Sequence, residues 1–305
     1  MKRLLCGFAA LLFAACSAGS SAEPTVEPAS PSLSASPRPS ELLPNTFPID
    51  GPLTRGDNAA RVVAELDRVT EHAPILKLNV SDTDATLIAL GPENRVLSYR
   101  WYDGVVDSTI TDFAFLGQKT FRPADFPLTQ LPLMLDIADM LGVKGRVVYQ
   151  VQQFRDLEVV QSVSSQPETK TVFFNEDATA VEQLGTTDPT DVERGLSTVI
   201  GTATHLLEVG FSAQRGYWAV YDRGRETVLR QRMGGLPAYI VPAQRPTGRA
   251  FLASQIDVQV ITGLLPEGSC EVVVRAAEKA QPRITVGCDG TQRHYSLAGE
   301  EIHGS

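Results

Sequence analysis

Histidine and cysteine are both scarce in this chain of 305 residues, at four of each. That shortage removes the raw material for most readable site chemistry. There is no His-Glu-x-x-His pair to hold zinc and no Cys-x-x-Cys. The serine-nucleophile signatures Gly-x-Ser-x-Gly and Ser-x-x-Lys are missing, as is the phosphate-binding loop. Basic residues are also in deficit, 27 against 36 acidic, for a net charge of −9. Nucleic acid, whose phosphates demand surfaces rich in Lys and Arg, is therefore an unsuitable partner. What the chain does have is 43% hydrophobic content and enough length for one large domain or two modest ones, each with a real core.

The N-terminus reads MKRLLCGFAALLFAAC. Lys2 and Arg3 precede an apolar stretch from Leu4 to Ala15, shorter than the roughly 20 residues that span a bilayer and suited to a secretory signal. Small residues, Ala14 and Ala15, stand directly before Cys16. This motif resembles a bacterial lipoprotein signal peptide, and the resemblance is confined to residues 1–16. It implies cleavage after residue 15, a diacylglyceryl group with palmitate-type chains on Cys16, and attachment to the cell membrane on its extracytoplasmic face. Cys6 would be discarded with the signal. Residues 17–50 hold 8 Ser and 7 Pro with little that could form a core, so 16–50 is expected to be an anchored, disordered tether.

From residue 51 the pattern turns globular. Asp57 is placed to cap a helix over 58–72, with Ala59, Val62, Val63, Leu66 and Val69 on one face. Asp188-Pro189 opens a second helix whose apolar face runs from Val192 to Leu207. Strands are expected at 85–90 and 216–221, each followed by a turn and then by Val-Leu-x-x-Arg, at Val96 to Arg100 and Val228 to Arg232. Phe126-Pro-Leu-Thr-Gln130 and Phe251-Leu-Ala-Ser-Gln255 each open a shorter helix, and β-rich sequence follows at 146–154, 157–163, 170–174, 271–277 and 283–288. Similar features in the same order predict an α+β fold of antiparallel sheets with packed helices. The expected units are two tandem repeats of a helix plus a β-meander, at 51–184 and 185–305.

Cys270 and Cys288 bracket a hairpin centred on residue 279, which would set them opposite each other in an oxidising compartment; a structural disulfide is expected. His72 and His205 fall near the expected helix ends, where a cation suits the dipole. Asp82 and Asp84 read as a polar turn, because an EF-hand loop needs a longer series of ligands. Binding candidates are Arg100 and Arg232, at matching places in the two halves, and Trp101, which shares a strand face with Tyr99. No catalytic, metal-ligating or cofactor-binding constellation emerges. The reading is a non-catalytic binding or interaction module of the envelope, with an unknown envelope protein or ligand as partner. Its rivals are a carrier for a hydrophobic envelope molecule and a hydrolase with a site between the halves.

Overall fold

The computed structural model describes residues 39–155, 158–168, 170–265, 270–277 and 280–303. The signal and lipidation motif at 1–16 lies outside them. Residues 37–305 form one compact unit, built mostly of antiparallel sheet with few helices.

The first sheet has eight strands. In chain order come β1 (Asn45–Thr46), helix α1 (Asn58–Val69), β2 (Ile75–Val80), β3 (Asp84–Leu90), β4 (Val96–Tyr102), β5 (Val105–Ile110), helix α2 (Leu131–Met140), β6 (Arg146–Phe154), β7 (Glu158–Gln166) and β8 (Thr171–Phe174). Their spatial order is β1-β5-β4-β3-β2-β6-β7-β8. The second half continues with α3 (Pro189–Ile200), β9 (His205–Leu206), β10 (Glu208–Ser212), β11 (Gly216–Arg223), β12 (Glu226–Arg232), β13 (Tyr239–Pro242), β14 (Phe251–Leu252), α4 (Val258–Gly263), β15 (Glu271–Ala276), β16 (Pro282–Cys288) and β17 (Thr291–Tyr295). Seven of these strands form a sheet in the order β13-β12-β11-β10-β15-β16-β17, and β9 pairs with β14 separately.

Alternation along the strands decides where the cores lie. In the first sheet Leu78, Val80, Leu87, Tyr99, Trp101 and Val151 point to the side carrying α1 and α2. In the second, Val209, Phe211, Tyr217, Val274 and Ile284 point toward α3 and α4. A smaller cluster of Leu207, Trp218, Val220 and Val273 occupies the opposite face of the second sheet.

Local signals explain the helices, with two departures from the sequence reading. Asp188 caps α3, its carboxylate accepting from the amides of Thr190 at 2.9 Å and Asp191 at 3.2 Å. Asp57 makes no such bond to α1. Instead the Asn58 amide donates to the carbonyls of Asp50 and Pro52, both at 3.0 Å, and ties the incoming chain to the helix start. Further, α3 ends at Ile200, because Gly201 takes a positive φ of 54°. His205 therefore belongs to strand β9 and stands at no helix end.

Gly195, in the middle of α3, is required by packing. A Cβ there would run into the ring of Tyr217 on the sheet below. Gly to Ala inside a helix normally gains up to about 1 kcal/mol. Gly195→Ala is instead expected to destabilise by about 1–3 kcal/mol through overpacking, read as a lower urea midpoint with unchanged slope; a rise in midpoint would contradict the contact.

The boundary of the tether also moves. Residues 39–50 are part of the fold: β1 pairs with the edge strand β5, and Leu43, Phe47 and Ile49 pack on the first core. These four apolar or edge-pairing contributions are diluted by Pro and Ser in the sequence, which is why composition alone assigns the stretch to the tether. The far edges are closed as well. Beside β8, Ala180 bridges Phe174 and the Val181 amide donates to the Phe173 carbonyl at 2.8 Å; beside β17, Glu301 bridges Tyr295 and the Ile302 amide donates to the His294 carbonyl at 2.8 Å.

Cys270 and Cys288 form the expected disulfide, with Cα atoms 4.5 Å apart. The β15–β16 register pairs Glu271 with Gly287, so the two cysteines continue the same ladder.

Candidate functional site

The two sheets meet along a narrow seam. Phe154 stacks at 5.1 Å on Phe173 and reaches Tyr239 at 6.3 Å, and the Arg155 guanidinium lies 4.1 Å over the Tyr239 ring. Residues 182–184 lead into the second half along its edge: the Leu184 amide meets the Gly234 carbonyl at 3.4 Å, and Glu182 pairs with Arg194 at 2.7 Å. Above this seam the halves stand apart, leaving an open cleft of about 630 Å³.

One wall of the cleft comes from β7 and the chain after β8, the other from β12 and β13. Apolar surface is supplied by Phe174 and Ile240, and charge by Glu158, Glu176, Asp177 and Arg230. Hydrogen bonds from the Thr179 hydroxyl and amide hold the Asp177 carboxyl below its usual range. Arg230 has no hydrogen-bond or ion-pair partner among the described residues. It also borders a second depression, lined by Thr202, His205 and Asp222, and a Cβ on Gly201 would collide with its Nη1. A half-buried guanidinium held against backbone and left without an anion is available to a ligand.

The residues singled out from sequence do not gather here. Arg100 is exposed on the first sheet's face away from its helices, paired with Asp84 at 3.0 Å and stacked 4.8 Å over Tyr102. Trp101 faces the opposite way, 5% exposed, and its Nε1 donates to the Phe47 carbonyl at 2.7 Å. Trp101 and Tyr99 share a face as the spacing predicts, but that face is core.

Arg232 is 9% exposed, between its sheet and α3. Its Nη1 donates to the Thr198 hydroxyl at 3.1 Å, its Nη2 to the Glu182 carbonyl at 3.0 Å, and its Nε has no partner. Burial pulls its pKa down, opposed by the nearby charge of Glu182. Its partners are a hydroxyl and a backbone carbonyl, whereas Arg100 pairs with a carboxylate.

The expectation that Arg100 and Arg232 occupy matching places is corrected by the ladders. Arg100 lies opposite Thr86, which lies opposite Asn79, on the polar face. Arg232 lies opposite Tyr217, which lies opposite Phe211, on the helix-covered face. A register change of one residue turns a shared Val-Leu-x-x-Arg motif to opposite sides of its sheet.

His72 bonds Asp67 at 2.5 Å, and Asp82 and Asp84 accept from Thr54 and Ser81 respectively, as befits a polar turn. Among the described residues no cluster of His, Cys, Asp and Glu could hold a metal ion, and no helix is long and apolar enough to cross a membrane. Compared with known proteins, the chain matches no family model, and no curated protein resembles it closely enough to count as a relative.

Proposed function

We propose that this protein is a lipid-anchored, extracytoplasmic binding module with an α+β body made by tandem duplication. It takes a ligand or partner segment in the cleft between its two copies without chemical conversion. The observation that carries the binding reading is the cleft itself, open and furnished with Arg230, whose side chain has no partner among the described residues.

Duplication is supported most strongly where sequence similarity is absent. After β8 the Asn175 amide meets the Thr179 carbonyl, Ala178 meets Asn175, and Val181 meets Phe173. After β17 the same three bonds recur as Ser296 to Glu300, Gly299 to Ser296, and Ile302 to His294. The donor offset is a constant 121 residues (175 to 296, 178 to 299, 181 to 302). In both halves a helix precedes a four-strand meander, a second helix, and three strands that return to pair with the first strand of the meander.

The anchor rests on the motif ending at Cys16, and the Cys270–Cys288 disulfide agrees with an oxidising compartment outside the cytoplasm. Metabolic labelling with an alkyne fatty acid should tag the wild type and not Cys16→Ala, and only the tagged form should partition with membranes. Retention of label and membrane partition by Cys16→Ala would overturn the anchor.

For the cleft, a photo-crosslinking residue at Ala238 in living cells should capture a ligand or partner, and Arg230→Glu should abolish capture. The same probe at exposed Asp136 on α2 should capture nothing comparable. Equal capture at both places, or no effect of Arg230→Glu, would refute binding at the cleft. A hydrolase reading draws on the three cleft carboxylates. The lowered pKa of Asp177 speaks against it as a general acid, which needs a raised one.

A further inference from the structure

We propose that the second sheet carries, on the face turned away from its helices, a binding site for a small phosphate-bearing molecule centred on Arg283. This site is separate from the inter-sheet cleft and needs neither the lipid anchor nor the cleft to be real.

The placement follows from register. Arg275 lies opposite Arg283 on β15 and β16, and Thr285 lies opposite His294 on β16 and β17. Alternation puts all four on the same face, because Val274, Ile284 and Val286 between them point into the helix-covered core. Two like charges directly opposite in a ladder are destabilising. The fold offsets one of them. Glu208, 4% exposed, receives both Nε and Nη2 of Arg275 at 2.7 Å and Nε1 of Trp218 at 2.6 Å. That carboxylate is thereby saturated on its exposed side. A second carboxylate of this face, Glu271, is paired with Arg215 at 3.6 Å, and a third, Asp222, with Arg245. Arg283 has no hydrogen-bond or ion-pair partner among the described residues, although it is half-buried.

A pocket of about 390 Å³ lies over this surplus of positive charge, in a protein that is acidic as a whole. Arg283, Arg275, Thr285, His294 and Gln292 line it, together with the Glu271 carboxylate that Arg215 holds, so guanidinium, hydroxyl, imidazole and amide groups all reach one concavity. Its far wall is Thr247-Gly248, drawn tight by the Arg249 amide on the Ala276 carbonyl at 3.1 Å. Gly248 has φ +122°, and a Cβ there would strike the Ala276 carbonyl, so the wall requires glycine. Opposed residues in a ladder hold their Cβ atoms about 4.5–5.5 Å apart, which lets the Arg283 fork, with the Nη1 that Glu208 leaves free on Arg275, converge on one tetrahedral oxyanion. The volume accommodates a phosphorylated polyol or sugar.

Calorimetry of the full chain tests the site, with glycerol 3-phosphate against glycerol for a free ligand and phosphatidylglycerol against phosphatidylcholine vesicles for a lipid headgroup. Binding is expected either for glycerol 3-phosphate and not glycerol, or for the net-anionic phosphatidylglycerol and not the zwitterionic phosphatidylcholine, and the pair that responds names the source. Arg283→Ala should weaken it at least about tenfold, the loss expected on removing a charge-assisted anchor. Arg283→Lys should restore part of it, and Arg100→Ala on the first sheet should change nothing. Since Arg283 has no partner among the described residues, Arg283→Ala should melt no lower than wild type, which separates lost binding from lost folding. Binding in neither pair, or binding indifferent to Arg283→Ala, overturns the site.

Discussion

Trp218→Ala is expected to destabilise the protein by about 3–5 kcal/mol, the range for emptying a buried aromatic position. Trp218 is 0% exposed although no helix covers its side of the sheet. Three contacts bury it. Its indole lies on Gly210, where a Cβ would come within 2.8 Å of Cζ2; the Arg215 guanidinium covers it at 3.8 Å; and Nε1 is engaged by Glu208. Truncation opens a cavity in the small cluster with Leu207, Val220 and Val273 and also strips the buried Glu208 carboxylate of a donor. Trp218→Phe keeps most of the ring and removes the donor, so about 1–3 kcal/mol of the loss should persist. Urea denaturation of the two variants separates the terms; equal midpoints for Trp218→Ala and wild type would show that the cluster contributes nothing.

Cys270→Ser should have the next largest effect, about 3 kcal/mol from the 18-residue separation of the bridged cysteines. That figure is an upper bound, since the β15–β16 hairpin already restricts the chain. It corresponds to a fall in Tm of roughly 6–12 °C. The bond joins neighbouring strands and lies outside the first core, so far-ultraviolet circular dichroism should be unchanged. Wild type in reductant should melt with the variant. A reductant-insensitive wild type, or two free thiols by mass spectrometry, would exclude the bond.

These two residues differ in how far the sequence announces them. The cysteines were legible because hairpin symmetry is a local property: residues equidistant from a turn meet. Strands β3, β4, β6 and β16 were legible by alternation for the same reason. The central strand β10 escapes the pattern. All five residues of β10 are buried, and burial on both faces erases alternation. The cleft was not legible at all. Glu158, Asp177 and Arg230 are far apart in sequence and share no motif, and only the seam at Phe154 and Tyr239 brings their strands together.

Arg232 fails for a subtler reason. Its motif resembles that of Arg100, but its ladder position corresponds to that of Trp101, so a side chain read as a binding candidate lies under α3. Register, which decides the face, is set by pairing with distant strands and leaves no mark in the motif itself.

The closed sheet edges have a consequence for how copies of the molecule behave when crowded. A bare outer strand is a template on which a second chain can polymerise. Beside β5, β8 and β17 that template is already occupied by the chain's own backbone, through β1 and the two matching turns. The remaining edge, β13, is four residues long, ends in Pro242, which has no amide hydrogen, and borders the cleft. Self-association into fibrils is therefore hindered at three edges, each partly covered, and curtailed at the fourth, where a docked ligand would add to the protection.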